Sequence, residues 1–314
     1  MKLWFLGTGA GRPAKHRNVT AVAFQLPEPS SNWWLFDAGE ATQHRLMEVP
    51  LKLSKLEAVF ITHLHGDHLY GLPGLLSTRS FEGGETPLTL YGPAGLKQYI
   101  DTVFAISGTT LDYEIIIKEI EEPEEIVFSN DRFTVKAGLL EHRVPCYGYR
   151  IIEHDQLGSL LVQRLKELGV AEGPLYGRIK KGHAITLEDG RVIRPEEVIG
   201  RPKRGRIVTI LGDTSPCLRA VELAEKADVL VHEATFEAGL EEKAHAYGHS
   251  TTAEAGEAAQ KAGVKQLVLT HFSGRYSNEE LSNLVQEAKK RHPDVLAARD
   301  FMVIVIDRDE DDSV

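Results

Sequence analysis

Residues 63–68 read HLHGDH, which puts His63, His65, Asp67 and His68 into one short stretch directly after the apolar run 57-EAVFITH-63. Imidazole nitrogen and carboxylate oxygen are donors that suit zinc. The preceding run is a strand candidate. Alternate residues leaving a strand point the same way, so His63 and His65 are expected to face one point. Asp67 and His68 then turn toward a second point. A strand end is a rigid mount, which a metal site needs.

Two cations need more ligands than these. Three other apolar runs finish in a donor: His142 ends 133-FTVKAGLLEH-142, Asp213 ends 206-RIVTILGD-213, and His271 stands one residue from the close of 266-QLVLTHF-272. Taken singly, each reads as a polar strand-end cap. Jointly they complete a set. His63, His65 and His142 would hold one cation, Asp67, His68 and His271 the other, with Asp213 bridging. A water would take the leftover positions. Two cations ~3.5–4 Å apart lower its pKa and clamp a phosphodiester or carbonyl transition state. Zinc suits the ligands, and manganese or cobalt are possible substitutes.

The elements that must position these residues are short, apolar and bounded by Gly, Asp or Pro. Strands are expected at 2–7, 33–39, 57–63, 88–92, 133–142, 206–213, 228–235, 266–272 and 301–307. Apolar spacing of three and four predicts helices at 94–105, 216–227, 251–262 and 278–291. Ser250 or Thr251 can cap the third, and Glu254 can close a capping box. Strands first, then strand–helix alternation, roughly repeated in two halves, suggest a two-sheet core with helices outside. The exception is 154–204. It is rich in Gly and charge, contains 173-GPLYGRIKKG-182, lacks clean periodicity, and reads as an insertion projecting from a single domain that spans 1–314.

Composition excludes several classes. At 42% hydrophobic and 26% charged residues the chain is an ordinary globular protein. No run of 18 apolar residues exists to span a membrane, and the N-terminus shows no signal-peptide pattern. Cys146 and Cys217 lie far apart without ligand spacing, so no disulfide framework is expected, which fits a reducing cytoplasm. The net charge of −10 argues mildly against nucleic acid. It hides an asymmetry. Residues 160–206 carry eleven Lys or Arg against six Asp or Glu, a balance of +5, while the run 307-DRDEDD-312 is acidic.

The HxHxDH cluster, the distant His142, Asp213 and His271, and the early turn 7-GTGAG-11 resemble the metallo-β-lactamase superfamily. The resemblance implies an α/β fold of the αββα sandwich type with a dinuclear metal site at one edge. Such a fold does not choose the substrate. Four further features resemble the tRNase Z (ribonuclease Z) family: the loop 13-PAKHRN-18, 232-HEAT-235, 249-HST-251, and an insertion with a Gly-Pro turn like that family's flexible tRNA-gripping arm. The resemblance spans residues 7–272. It implies an endoribonuclease acting on precursor tRNA, two zinc ions per subunit, and, from the short length, a homodimer. The expected products are tRNA with a 3′-OH and a trailer with a 5′-phosphate. No DNA or membrane partner is expected.

The residues fit that implication. Lys15 and Arg17, with Asn18, would meet phosphates beside the site. Gly173, Pro174, Tyr176, Arg178, Lys180 and Lys181 would contact the tRNA body, since folded RNA is gripped through phosphates and shape. Tyr176 could stack on a base or simply pack. Asp67, both ligand and neighbour of the water, is the expected proton acceptor. If Glu233 accepts a hydrogen bond from His249, the imidazole is oriented and more basic, and can protonate the departing 3′ oxygen. His232 is expected to pack or to support the metal ligands from behind. The rival is a general phosphodiesterase of the same superfamily, indifferent to loss of the arm.

Overall fold

In the strand Trp33–Phe36 every side chain is buried. Trp34 and Phe36 enter one apolar cluster, Trp33 and Leu35 another. A strand covered on both faces lies between layers, and this alternation builds the architecture. The structure, a computed structural model, describes residues 1–308, so residues 309–312 of the acidic run lie outside the described residues.

Two seven-stranded sheets face each other. The first runs Val303–Val305, Lys2–Gly7, Ala21–Gln25, Trp33–Phe36, Leu56–Phe60, Leu88–Pro93 and Ile115–Ile120 in spatial order. The second runs Val295–Ala297, Gln266–Thr270, Val229–Glu233, Ile207–Ile210, Tyr147–Glu153, Phe133–Leu139 and Glu124–Ser129. Between them Phe5, Phe24, Trp34, Phe36 and Phe60 meet Val135, Tyr149, Val208 and Val231. Phe60 stacks on Phe36 and on Tyr91, each at 4.9 Å between centroids. Outside the first sheet, Leu72, Leu75, Leu76, Leu96 and Ile100 of two helices cover Leu35, Val59 and Leu90. Outside the second, Leu223, Ala255, Ala259, Leu281 and Leu284 cover Leu230, Leu267 and Leu269. The result is the αββα sandwich expected from the sequence.

The four expected helices form at Leu96–Ser107, Leu218–Ala224, Thr252–Ala262 and Leu281–Lys289. Thr251 is the N-cap of the third, and its box with Glu254 closes through both bonds. The helix Leu72–Phe81 escapes periodicity because Pro and Gly sit in its first turn, where Pro costs nothing. Five strands of the two sheets lie outside the expected runs, among them Ala21–Gln25 and Tyr147–Glu153. Among the described residues no helix is long and apolar enough to cross a membrane.

Several strands stop earlier than their apolar runs. The run to His63 leaves the ladder at Phe60, the run to His142 at Leu139, and the run to Asp213 at Ile210. The terminal residues form loops instead, because a polar side chain held in the ladder would point into an apolar layer.

The chain divides into two compact units, one of Met1–Ile151 with Ile207–Ile306, the other of Ile152–Arg206 with Asp307 and Arg308. The second is not irregular, contrary to the sequence expectation. It holds the helices Val162–Glu167, Pro174–Lys180 and Pro195–Val198 and a small hairpin, Ile185–Thr186 with Val192–Ile193. Leu165, Val170, Ile179, Ile185, Ile193 and Val198 form its own core. Arg206 closes its base on buried Glu153 at 2.8 Å. Elements this short fall below the window in which periodicity can show.

Candidate metal centre and active site

The metal-ligating candidates all lie in the larger unit, in segments that follow strands. His63 sits in the extended link after Leu56–Phe60, and Asp67 and His68 on the helical turn Gly66–Leu69. Asp213 follows Ile207–Ile210, Glu233 ends Val229–Glu233, and His271 follows Gln266–Thr270. These three strands of the second sheet are parallel, so their carboxyl ends share one edge.

The cluster forms two triads. His63 Nε2 lies 3.0 Å from His65 Nδ1, which lies 3.3 Å from His142 Nε2. His68 Nε2 lies 3.1 Å from His271 Nε2, which lies 3.3 Å from Asp67 Oδ2. Asp213 divides its carboxylate between them. Its Oδ2 is 3.7 Å from His63 Nε2, and its Oδ1 is 3.5 Å from His68 Nε2 and 3.4 Å from His271 Nε2.

The outer nitrogens of four of the five histidines are committed, and this settles where their inner lone pairs point. His68 Nδ1 donates to Asp37 Oδ2 at 2.7 Å, and His142 Nδ1 donates to the Gly248 carbonyl at 2.7 Å. Thr62 Oγ1 donates to Asp37, so it accepts from His63 Nδ1 at 3.0 Å. Thr235 Oγ1 donates to Glu233 Oε2 and accepts from His271 Nδ1 at 3.0 Å. The inner nitrogens therefore turn bare lone pairs on one another. Neutral imidazoles so arranged repel unless a cation sits among them, so the donor set fits divalent metal.

Electrostatics agree. Burial alone would raise the Asp213 carboxyl, but charge on His271, His68 and His63 holds it well below the ordinary carboxylate range. Burial would lower His68, yet Asp213 and Asp37 hold its pKa well above the usual imidazole value. The same field attracts a metal cation. Burial lowers His63 well below the usual value, and neighbouring His68 adds to that.

Asp37 and His271 both adopt left-handed backbone, at φ 59° and 55°. Each such residue costs about 1–3 kcal/mol. Both are overdetermined by the contacts just described. Gly39 is required by close approach, since a Cβ there would overlap the Asp67 carbonyl. The backbone amide of Gly11, in the early turn 7–11, donates to Asp67 Oδ2 at 2.6 Å.

Beside the triads stands a second pair. His249 Nδ1 donates to Glu233 Oε1 at 2.9 Å. Glu233 is buried and also accepts from the amides of Thr214, Thr235 and Ser250. Burial would raise its carboxyl, but His249 brings it below the usual value. Burial likewise lowers His249, and Glu233 overrides this, pushing it up to about 9. His249, Asp67, Asp213 and His271 line one cavity of about 370 Å³.

Other predicted residues are placed differently. Lys15 is exposed. Arg17 is buried, with its guanidinium over the Phe272 ring at 5.1 Å and a bond to Asn278 Oδ1 at 2.8 Å. Asn18 is tied to Asp300 and to the Glu40 carbonyl. Arg17 and Asn18, expected to meet phosphate, both turn inward in this structure. Tyr176 takes the packing alternative, with its hydroxyl on the Val170 carbonyl at 3.3 Å. Gly173, Pro174, Arg178, Lys180 and Lys181 are exposed, with Pro174 opening its helix. His232 packs as expected, its Nδ1 donating to the Glu233 carbonyl. Asp37, Thr235, Phe236, Lys243, Tyr247 and Arg275 were missed. Two of these carried a signal: Thr235 closes the quoted 232-HEAT-235, and Asp37 is a polar residue finishing an apolar run, the same signal that found Asp213.

Comparison with known proteins follows the same lines. The family described as anti-Pycsar protein Apyc1 matches residues 1–122. A Ribonuclease Z of Bacillus licheniformis is 54% identical over 301 residues, covering 96% of this chain and 97% of that protein. A Ribonuclease Z of Geobacillus kaustophilus is 52% identical over 308 residues, covering 98% and 100%. Human tRNase Z, short form (ELAC1), superposes with a TM-score of 0.72 at 32% identity, covering 98% and 100%. YhfI of Bacillus subtilis, described as a metallo-β-lactamase fold protein, superposes at 0.66 with 23% identity, covering 96% and 98%, a likeness of fold. Two facing sheets with a His/Asp cluster at their edge define the chain as a metallo-β-lactamase-fold protein. Within that class, it belongs to the ribonuclease Z family.

Proposed function

We propose that this chain is a metal-dependent endoribonuclease that removes the 3′ trailer from precursor tRNA. The observation that carries the reading is the Glu233–His249 pair, 2.9 Å apart, set in the same cavity as Asp67 and the ligand cluster. Two zinc ions are the proposed cofactors, one with His63, His65 and His142, the other with Asp67, His68 and His271, and Asp213 shared. Bound there, they supply Lewis acidity toward the phosphodiester and a water of lowered pKa.

The chain's own groups do the rest. Asp67 Oδ2, fixed by the Gly11 amide, orients the attacking water and takes its proton as the water oxygen bonds to phosphorus. The bond from phosphorus to the 3′ oxygen of the last tRNA nucleotide breaks. His249, with Nδ1 committed to Glu233, presents Nε2 and gives its proton to that leaving oxygen. The products are tRNA with a 3′-OH and a trailer with a 5′-phosphate. Lys15 is the proposed phosphate contact of the 13–18 loop, while Arg17 and Asn18 hold the loop in shape. The 154–204 arm, through Arg178, Lys180 and Lys181 beside Gly173 and Pro174, is the proposed grip on the tRNA body. The protein acts as a homodimer in the cytoplasm.

The test is 3′-end mapping of a labelled precursor tRNA, with a chelated control and Asp67→Ala. A single cut after the discriminator nucleotide, lost in both controls, is expected. Hydrolysis of a simple aryl phosphodiester with no cut on tRNA would sink the tRNA reading and promote the general phosphodiesterase.

A further inference from the structure

Four side chains at the mouth of the catalytic cavity have no part in holding metal or moving the proton. Phe236, Lys243, Tyr247 and Arg275 line the same cavity as Asp67 and His249. Tyr247 ends the helix Glu241–Tyr247, and Gly248, at φ 79°, turns the chain straight into His249. Tyr247 is 50% exposed. Its ring lies nearly parallel to Phe236, at 23° and 6.4 Å between centroids. Phe236 is 5% exposed and also borders His249, at 6.2 Å between centroids. Phe236 thus sets the plane of Tyr247 and links it to the proton donor. The Arg275 guanidinium and the Lys243 ammonium lie 5.2 and 6.0 Å from the Phe236 centroid. Two cations therefore flank an aromatic surface within the catalytic cavity.

Flat aromatic surface with adjacent positive charge is how proteins hold an unpaired nucleotide: the ring takes the base, the cations take the phosphates. We propose that Tyr247, backed by Phe236, is a nucleobase-stacking subsite for the nucleotide whose 3′ oxygen leaves, with Arg275 and Lys243 facing its flanking phosphates. This rests on the reading of His249 as donor to that oxygen. The base belongs to the same nucleotide as the leaving oxygen, one ribose away. Tyr247 is two residues from His249 on the same cavity wall. Stacking is tolerant of base identity, so the subsite positions the 3′ oxygen under His249 without reading sequence.

The experiment is a two-by-two comparison on a metal-loaded enzyme. One axis is wild type against Tyr247→Ala. The other is a precursor tRNA against the same precursor with an abasic residue 5′ of the cut. Wild type is expected to lose roughly 10- to 100-fold in kcat/KM on the abasic substrate, the range of one base–aromatic stack. Tyr247→Ala should lose a similar factor on the normal precursor and little more on the abasic one. Tyr247→Phe, which keeps the ring, should restore cleavage. Bound metal and the thermal midpoint of Tyr247→Ala should match those of the wild type, marking the fold and metal loading as intact. Losses that multiply, or a normal precursor cut equally well by Tyr247→Ala, would overturn the subsite. Failure of the wild type to cut any precursor, with aryl phosphodiester hydrolysis intact, would overturn the tRNA reading itself.

Discussion

Replacing Glu233 by Gln removes the charge that holds a proton on His249. Burial then dominates and the imidazole pKa falls. A leaving-group acid works only while protonated, so activity is lost as pH rises through its pKa. With Glu233 present that limb lies near pH 9. In Glu233→Gln it moves to lower pH, and the rate at neutrality falls roughly 10²–10⁴-fold. A pH profile of single-turnover cleavage reads both. A limb that stays in place would remove Glu233 from this role. Asp37 is the second test at this scale. It touches no substrate, but it orients His68 at 2.7 Å and ties down Thr62, which in turn orients His63. Asp37→Ala should weaken metal affinity roughly 10–100-fold, as losing an outer partner of a ligating histidine does. Competition with a chelator of known affinity measures it.

At the scale of elements, the +5 balance of residues 160–206 sits on a unit with its own core. Its exposed lysines can therefore be removed without touching the apolar side chains that fold it. Lys180→Ala with Lys181→Ala should raise KM for precursor tRNA and make its salt dependence shallower, the slope falling by about one for each phosphate that a lysine no longer neutralises. Aryl phosphodiester hydrolysis should not change. Steady-state kinetics on both substrates across a salt series check this, and equal effects on both would deny the arm its grip. The small elements here were illegible because two-residue strands and six-residue helices leave no period to count. Nine of the fourteen strands of the sandwich were legible, most of them from the continuous apolar runs that burial on both faces demands.

For the whole molecule, the ligand set draws together both sheets, with His68 and His271 in contact across 203 positions of sequence. Metal that binds the folded chain alone must stabilise it by mass action. Removing it with excess chelator should lower the thermal midpoint, and restoring zinc should recover it. An unchanged midpoint would mean that the cluster holds no metal tightly. The proposed homodimer makes a parallel demand: sedimentation equilibrium should give twice the mass of one 34.8 kDa chain.

What the sequence determined by itself was local: donor types at strand ends, the HLHGDH turn, the capping box at Thr251, and apolar runs that must lie between layers. These are legible because each is set by neighbours within a few residues. Tertiary structure decided how the strand ends meet. It placed Asp37 and Thr235 behind the histidines, brought Tyr247 and Phe236 to the cavity mouth, and turned Arg17 inward onto Phe272 and Asn278. An arginine in a loop reads as surface charge until a ring and an amide from distant parts of the chain arrive to hold it. Long-range partners are fixed by how the sheets pack, and that packing is a property of the folded chain as a whole.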